Sequence, residues 1–218
     1  MQLTSLGVSG TDAPRWSPDG RSIYFHSSRE GRRSIFVVDS QGGPARRFNN
    51  STDDEAAPRP SRNGRWIYFV SRRTGEPQVW KAPAGAGEAV QVTKSGGGMA
   101  EESPDGSHLY YAKQIGTSWM CSLWRVPVDG GQEQQVLPSI YTSQYAVFAA
   151  GIYFIGPQEP DRSYSLQFFR FATGRTERIT TLGPTVMWGL TVSPDRRSIL
   201  YVQVDNLGSD LMLVENFR

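Results

Sequence analysis

The chain has 218 residues, and its 23 Lys and Arg against 21 Asp and Glu give a net charge of +2. Such a balance favours neither nucleic acid nor an anionic membrane as a partner. The single cysteine, Cys121, excludes an internal disulfide and leaves the compartment undetermined. The longest apolar run, Ala146 to Ile155, is too short to cross a bilayer, and the first residues lack the pattern of a signal peptide. We therefore expect no membrane insertion within this chain.

Five copies of one pattern follow each other along the chain. Each copy has an apolar strand, a turn of the Ser-Pro-Asp-Gly type, a strand with an aromatic pair and a further apolar strand. Three apolar positions recur at spacings of 42 to 47 residues, namely Ile23, Ile67, Leu109, Ile152 and Ile199; Ile35, Val79, Leu123, Phe168 and Leu211; and Leu3, Phe48, Val92, Val136 and Ile179. This period is typical of β-propeller blades. The sequence predicts an all-β chain, a five-bladed β-propeller of four-stranded antiparallel blades.

In chain order, the repeats are expected at about residues 13–48, 57–92, 99–136, 145–179 and 188–215, within a single domain of residues 1–218. The first blade reads as strands Ala13 to Trp16, Ser22 to His26, Ser34 to Val38 and Ala45 to Phe48. In its turn, Ser17 to Gly20, proline presets φ, while Asp and Gly supply a side-chain hydrogen bond and tolerance of positive φ. The fourth copy has lost this turn and keeps only Ala149-Ala150-Gly151.

The two ends of the chain complement each other. The last repeat ends with the third strand of a blade, Leu211 to Val214, and Gln2-Leu3-Thr4 reads as a fourth strand without a blade. We expect the N-terminal strand to complete the last blade, which removes exposed sheet edges. The alternative is that these residues belong to a longer array of six or seven blades, since three or more stacked repeats are already stable.

The repeat resembles a known family. The stretch from Ala13 to Phe25, followed by Ser34 to Asp39 and Gly42-Gly43, is similar to the WD40-like PD40 repeat of TolB-type bacterial propellers. Such repeats occur in translocation proteins, as non-catalytic gates of peptidases, and after winged-helix regulators or Ser/Thr kinases. The ending, Leu207 to Phe217, resembles that of the last group. The resemblance implies the C-terminal propeller of a larger bacterial regulatory protein.

Residues for catalysis or metal binding are few. His26 and His108 occupy different repeat positions and have no further ligand at a metal-binding spacing, so we expect no zinc site. Cys121 is expected to be a small core residue, and no nucleophile elbow is present. The sequence therefore predicts no catalytic residue, no cofactor and no metal. The acidic stretch Asp53-Asp54-Glu55 lacks the spacing of a dedicated calcium loop, and we expect a solvated loop.

The loops between repeats differ while the turns are nearly uniform, so the loop face is the expected binding surface. Basic and acidic residues meet there on adjacent blades, and aromatic residues suited to anchoring a partner accompany them. The predicted partner-binding residues are Arg29, Arg32, Arg33, Arg72, Arg73, Asp53, Asp54, Glu55, Trp119, Tyr141 and Trp188. The alternative for the arginines is neutralisation within the protein by surface ion pairs.

The first strand of each propeller blade lines the central channel, and here it places Arg15, Arg59, Glu101 and Thr191 at matched positions. The group is suited to an anion or to water. The favoured function is a non-catalytic propeller that binds a protein or peptide on its loop face, monomeric as an isolated domain. The alternative is a propeller that processes a carbohydrate or another small ligand in its channel.

Overall fold

The computed structural model describes residues 3–4, 10–29, 31–85, 87–142, 144–193, 195–205 and 208–215, with the backbone alone at residues 188, 205 and 208–215. The described residues form strands and turns and contain no helix. Across these ranges no helix is therefore long and apolar enough to span a membrane.

Each repeat forms one antiparallel sheet with its strands in chain order. The first sheet contains β1 (Thr11–Trp16), β2 (Ser22–Ser27), β3 (Ser34–Asp39) and β4 (Arg46–Arg47). The second contains β5 (Glu55–Pro60), β6 (Trp66–Ser71), β7 (Gln78–Pro83) and β8 (Val90–Gln91). The third contains β9 (Gly98–Glu102), β10 (His108–Gln114), β11 (Met120–Pro127) and β12 (Gln134–Tyr141).

The last two repeats follow the same scheme. The fourth sheet contains β13 (Tyr145–Phe148), β14 (Gly151–Ile155), β15 (Tyr164–Arg170) and β16 (Arg175–Leu182). The fifth contains β17 (Val186–Val192), β18 (Ser198–Asp205) and β19 (Gly208–Glu215). Five sheets from five repeats confirm the predicted all-β, five-bladed organisation.

The expected closing strand falls partly on Gln2, which lies outside the described residues. Leu3 and Thr4 are described and carry no strand assignment. Leu3 packs against the core of the first sheet, which is formed by Ile23, Phe25 and Phe36 with Val38. Closure of the last blade by this segment stays a prediction.

The described residues group into two compact units, and the boundary runs through the third repeat. One unit contains the chain up to Lys113 with Arg125–Gln134, and the other contains Gln114–Trp124 and the chain from Gln135 onward. In the first unit, Phe48 after β4 packs against Tyr24 of its own sheet and Phe69 of the next. In the second unit, β14 and β15 pack with β18 through apolar side chains such as Ile155, Leu166 and Ile199. Consecutive blades of each unit thus share apolar clusters.

The repeated turn forms as its residues predict. In the first copy, Ser17 Oγ donates to Asp19 Oδ1 at 2.6 Å, and the amides of Arg21 and Ser22 bond to the same two side chains. Gly20 has φ of 70° and donates its amide to the Ser17 carbonyl. The same contacts recur at Ser61 with Asn63, Ser103 with Asp105 and Ser193 with Asp195. The turn carboxylates therefore serve local structure.

Candidate functional site

The predicted basic sector meets the acidic loop through ion pairs. The Arg33 amide and Nε both donate to Asp54 Oδ1, at 3.0 and 3.1 Å, and the Nη2 of Arg33 pairs with Oδ2. The hydrogen bonds from this guanidinium hold the pKa of Asp54 below its usual range. Arg33 is thus joined to the loop of the next repeat.

Arg73 forms a second, more buried pair. Its Nη2 contacts the carboxylate of Glu55, which is 1% exposed, and its Nε lies 3.4 Å from Asp53 Oδ2. The Arg73 guanidinium also covers the ring of Trp80 at 4.5 Å. Burial raises the pKa of Glu55, while hydrogen bonds from Asn49 and the charge of Arg73 oppose the rise. The expectation of a solvated acidic loop is therefore wrong for Glu55.

The other three arginines of the sector differ in exposure. Arg29 and Arg72 are exposed, and Arg32 is half-buried. None of the three takes part in an ion pair among the described residues. Internal neutralisation therefore accounts for Arg33 and Arg73, while Arg29 and Arg72 present charge to solvent.

Two of the three aromatic residues predicted as anchors, Trp119 and Tyr141, lie near the tip of the β10–β11 hairpin. Trp119 in this tip is 63% exposed, and its carbonyl accepts a hydrogen bond from the Thr142 amide at 2.6 Å. Tyr141, next to Thr142, packs its half-buried ring against Tyr164 with centroids 4.3 Å apart. The fold thus brings Trp119 and the end of β12 together. Trp188 lies in β17, and its side chain is outside the described part of the chain.

The charged residues predicted for the channel occupy one register in three successive first strands. Arg15 lies opposite Tyr24, Arg59 opposite Tyr68 and Glu101 opposite Tyr110. Burial lowers the pKa of Arg15 to about 10, the charge of Arg59 adds to the effect, and Glu101 opposes it. Arg15 therefore lies within electrostatic reach of both Arg59 and Glu101, and the strands β1 and β5 contact each other. We call Arg15, Arg59 and Glu101 the first-strand cluster.

The fourth predicted channel residue belongs to the other compact unit. Thr191 in β17 is exposed and lies opposite Leu200 of β18.

The isolated histidines and the cysteine lie in ordinary structural positions. His26 in β2 is partly buried, and its Nδ1 accepts a hydrogen bond from the Ala57 amide at 3.4 Å. His108 begins β10, is half-buried, and its Nδ1 lies 2.8 Å from Ser107 Oγ. Cys121 is buried in β11, which confirms its assignment to the core. Within the described ranges, His, Cys, Asp and Glu form no group of three or more suited to a metal ion.

A cleft between the turns of the second and third repeats was missed by the sequence reasoning. It has a volume of about 440 Å³, and Trp66, Arg65 and Asp129 are among its lining residues. Glu102 in its wall accepts hydrogen bonds from the Tyr68 hydroxyl at 2.8 Å and the Arg62 amide at 2.7 Å.

Lys81 forms another wall of the cleft. Its Nζ donates to the Val128 carbonyl at 2.7 Å and lies 4.9 Å from the Trp66 ring. The sequence carries no signal for this cleft, because the residues come from several turns and strands that read as uniform scaffold. Glu102 and Lys81, two of the charged residues that line the cleft, are both hydrogen-bonded to other groups of the protein.

Comparison with known proteins gives a consistent result. The sequence model of the TolB β-propeller domain, PD40, matches residues 5–141. TolB from Acinetobacter baumannii has a similar structure, with a TM-score of 0.73 and 18% identity over 94% of this chain and 51% of that chain. Oligogalacturonate lyase from Vibrio parahaemolyticus is also similar, with a TM-score of 0.61 and 13% identity over 98% of this chain and 77% of that chain.

A curated relative shares a short segment. The uncharacterized peptidase YuxL of Bacillus subtilis (strain 168) is 40% identical over 45 residues, which are 20% of this chain and 7% of that protein. The chain therefore matches only a small part of that relative, and about half the length of the Acinetobacter TolB. At such identities the structural likeness shows the fold alone.

Proposed function

Because this chain belongs to the TolB β-propeller domain family, we propose that it is a non-catalytic propeller that binds a protein or peptide through the loops between its strands. The observation that carries the proposal is the exposed indole of Trp119, held beside Tyr141 by the bond between the Thr142 amide and the Trp119 carbonyl. Large aromatic side chains on a braced backbone are the usual anchors of interfaces. Trp119 and Tyr141 are assigned as the anchors of the partner.

Arg29 and Arg72, which belong to the other compact unit, supply a separate electrostatic surface. Both are exposed, whereas Arg33 and Arg73 are engaged by the acidic loop. Exposed cations act mainly on the association rate of an acidic partner, and salt screens their effect. Arg32, Asp53 and Asp54 are assigned to the same electrostatic surface. The buried carboxylate of Glu55 belongs to it through its contact with Arg73.

We assign the chain to a larger bacterial regulatory protein, as a sensing or scaffold domain that is monomeric in isolation. The resemblance of its last repeat to propellers that follow winged-helix regulators or kinases supports this assignment. Sequencing the gene around the coding region tests the context, and light scattering of the purified chain tests the oligomeric state.

The binding proposal is tested with defined peptides. A phage-displayed library of random peptides is selected on the immobilised chain, and the enriched peptides are synthesised with a fluorophore. Their affinities are then measured by fluorescence anisotropy. We expect saturable binding that falls at least about tenfold in Trp119→Ala, the loss typical of an aromatic anchor.

Trp16 provides a matched control, because it is 60% exposed and lies at the end of β1 in the other compact unit. Trp16→Ala should leave the affinity unchanged. Equal affinities of the wild type and Trp119→Ala would remove the proposed anchor, and failure to select any saturable peptide would contradict the binding function.

Arg72→Glu should slow association with acidic peptides at low salt, a loss that high salt abolishes.

A further inference from the structure

Three successive first strands carry the same backbone irregularity. β1, β5 and β9 each shift register along their neighbouring strand, between Asp12 and Arg15, between Ala56 and Arg59, and opposite Tyr110 and Ala112. Each shift contains one residue other than glycine in the left-handed region, namely Ala13 with φ of 55°, Ala57 with φ of 53° and Met99 with φ of 49°. Such β-bulges redirect the side chains that follow them, and they are frequent beside binding sites.

Each of the three bulges is followed by a charged residue at the same distance in the sequence. Two residues after the three left-handed positions come Arg15, Arg59 and Glu101, the members of the first-strand cluster. The backbone thus repeats one costly conformation, and each time a charged side chain follows it at the same distance. In the fifth repeat Gly189 has φ of 130° and the residue two positions later is the uncharged Thr191. The charge is therefore a property of the first three repeats rather than of the bulge.

The first-strand cluster carries a net positive charge, and its side chains are partly shielded from solvent. Two guanidinium groups and one carboxylate leave a net charge of +1, and both arginines are half-buried. No salt bridge to Arg15 or Arg59 occurs within the described residues. Nη1 of Arg15 donates to the Pro14 carbonyl at 2.8 Å, which fixes that guanidinium against its own strand. Repulsion between Arg15 and Arg59 opposes ionisation of Arg15.

We propose that the first strands β1 and β5 bind a carboxylate group between the guanidinium groups of Arg15 and Arg59. Guanidinium forks match a planar carboxylate and form paired hydrogen bonds with it. One carboxylate neutralises the net charge of the cluster, whereas a dianion such as phosphate would leave an excess negative charge beside Glu101. The inference goes beyond the proposed function, because the first-strand cluster shares no residue with the surface around Trp119.

The test uses three probes that differ in one group. Acetate, N-acetyl-trialanine with a free C-terminus, and the C-terminal amide of the same peptide are titrated into ¹⁵N-labelled chain, and the arginine Nε–H signals are followed by NMR. We expect saturable shifts with the two acids and none with the amide. At least tenfold tighter binding of the peptide acid than of acetate identifies a peptide terminus as the ligand, and similar affinities identify a free small carboxylate.

Variants separate this site from general surface charge. Arg59→Gln should lower the affinity for both acids at least tenfold. Arg62 is an exposed arginine in the adjoining turn, and Arg62→Gln should leave the affinity unchanged. Glu101→Gln should raise the affinity for both acids several-fold, because it removes the carboxylate that repels them. Without ligand, Arg59→Gln should have a Tm equal to or above that of the wild type, since one of two repelling charges is gone.

Each outcome bears on the carboxylate site alone. Shifts that do not saturate in the wild type, unchanged affinity in Arg59→Gln, or weaker binding in Glu101→Gln would overturn the proposal. If Arg59→Gln fails to fold, the sign of the Glu101→Gln effect decides. None of these measurements involves Trp119, so failure here leaves the peptide-binding proposal intact, and failure there leaves this one intact.

Discussion

Arg73 places its guanidinium against the carboxylate of Glu55, the almost completely buried first residue of β5. Ser71 and the ring of Trp80 hold the guanidinium in position. The pair ties the β6–β7 loop to the start of the first strand of its own sheet. Because burial raises the pKa of Glu55, the carboxylate depends on this partner for its charge.

Removing the cation alone should be strongly destabilising. We expect Arg73→Met to lower the free energy of unfolding by about 3 kcal/mol, because it leaves a buried carboxylate without its partner. Urea denaturation followed by tryptophan fluorescence measures the change. The double variant Arg73→Met with Glu55→Gln should recover most of the loss, since the charge that needed a partner is gone.

Arg72 is the control for this pair, because it neighbours Arg73 in sequence and is exposed. Arg72→Met should change the free energy of unfolding by no more than about 0.5 kcal/mol. Equal effects of the two arginine variants would show that the Arg73–Glu55 pair does not stabilise the fold.

Gln144 braces a bulge in the second compact unit. Its side-chain Nε2 donates to the Met187 carbonyl at 2.7 Å, and its Oε1 accepts from the Gly189 amide at 2.8 Å. Gln144 itself is 5% exposed. One buried amide thus bonds to an acceptor and a donor of β17 in the segment where β17 shifts its register along β18.

Gln144→Leu should lower the free energy of unfolding by about 2–3 kcal/mol, because two backbone groups lose their hydrogen bonds in a buried site. Amide hydrogen exchange at Gly189 should accelerate more than in the rest of the sheet. Gln158→Leu is the matched control, since Gln158 is exposed and its side chain donates to the Arg162 carbonyl. If both variants are equally stable, the hydrogen bonds of Gln144 do not stabilise the bulge.

The fold followed from the sequence because strand pairing and turn chemistry are local and repeat five times. Ile67, Leu109, Ile152 and Ile199, the anchors of the period, are fully buried. The bulges did not follow, because alanine at positions 13 and 57 gives no sign of a left-handed backbone.

The candidate site was predicted less completely than the fold. The loop residues were identified from their variation between repeats, but solvation of the acidic loop was assumed. Whether Glu55 points outward or toward Arg73 depends on side-chain direction, which the spacing of the repeats does not contain. Gln144 was missed because its partners, Met187 and Gly189, are more than forty residues away in the chain.

His26 should make stability depend on pH. Burial lowers its pKa below the ordinary value of 6.5, with Asp12 and Asp54 opposing this effect and Arg33 adding to it. A lowered pKa in the folded state means that the unfolded chain binds the proton more readily. The contribution to stability is therefore complete above about pH 6.5 and is lost as the pH falls through the lower pKa of the folded state.

Besides burial, the hydrogen bond that His26 Nδ1 accepts from the Ala57 amide favours the neutral ring, because a protonated imidazole does not accept it. Urea midpoints measured at about pH 7, 6 and 5 should fall toward acid in the wild type and fall less steeply in His26→Gln. An identical slope in His26→Gln would place the pH dependence elsewhere.

The left-handed alanines should be sites where glycine stabilises. Ala57 has φ of 53°, a conformation that costs a residue with a Cβ about 1–2 kcal/mol. Ala57→Gly removes that strain and adds chain entropy to the unfolded state at a cost of about 0.5–1 kcal/mol. We expect a net gain of about 0.5 kcal/mol, measured by urea denaturation. Ala56→Gly, at the neighbouring buried position paired with Val70, has no strain to lose and should be destabilised. Destabilisation of both variants to the same extent would show that the bulge at Ala57 stores no strain.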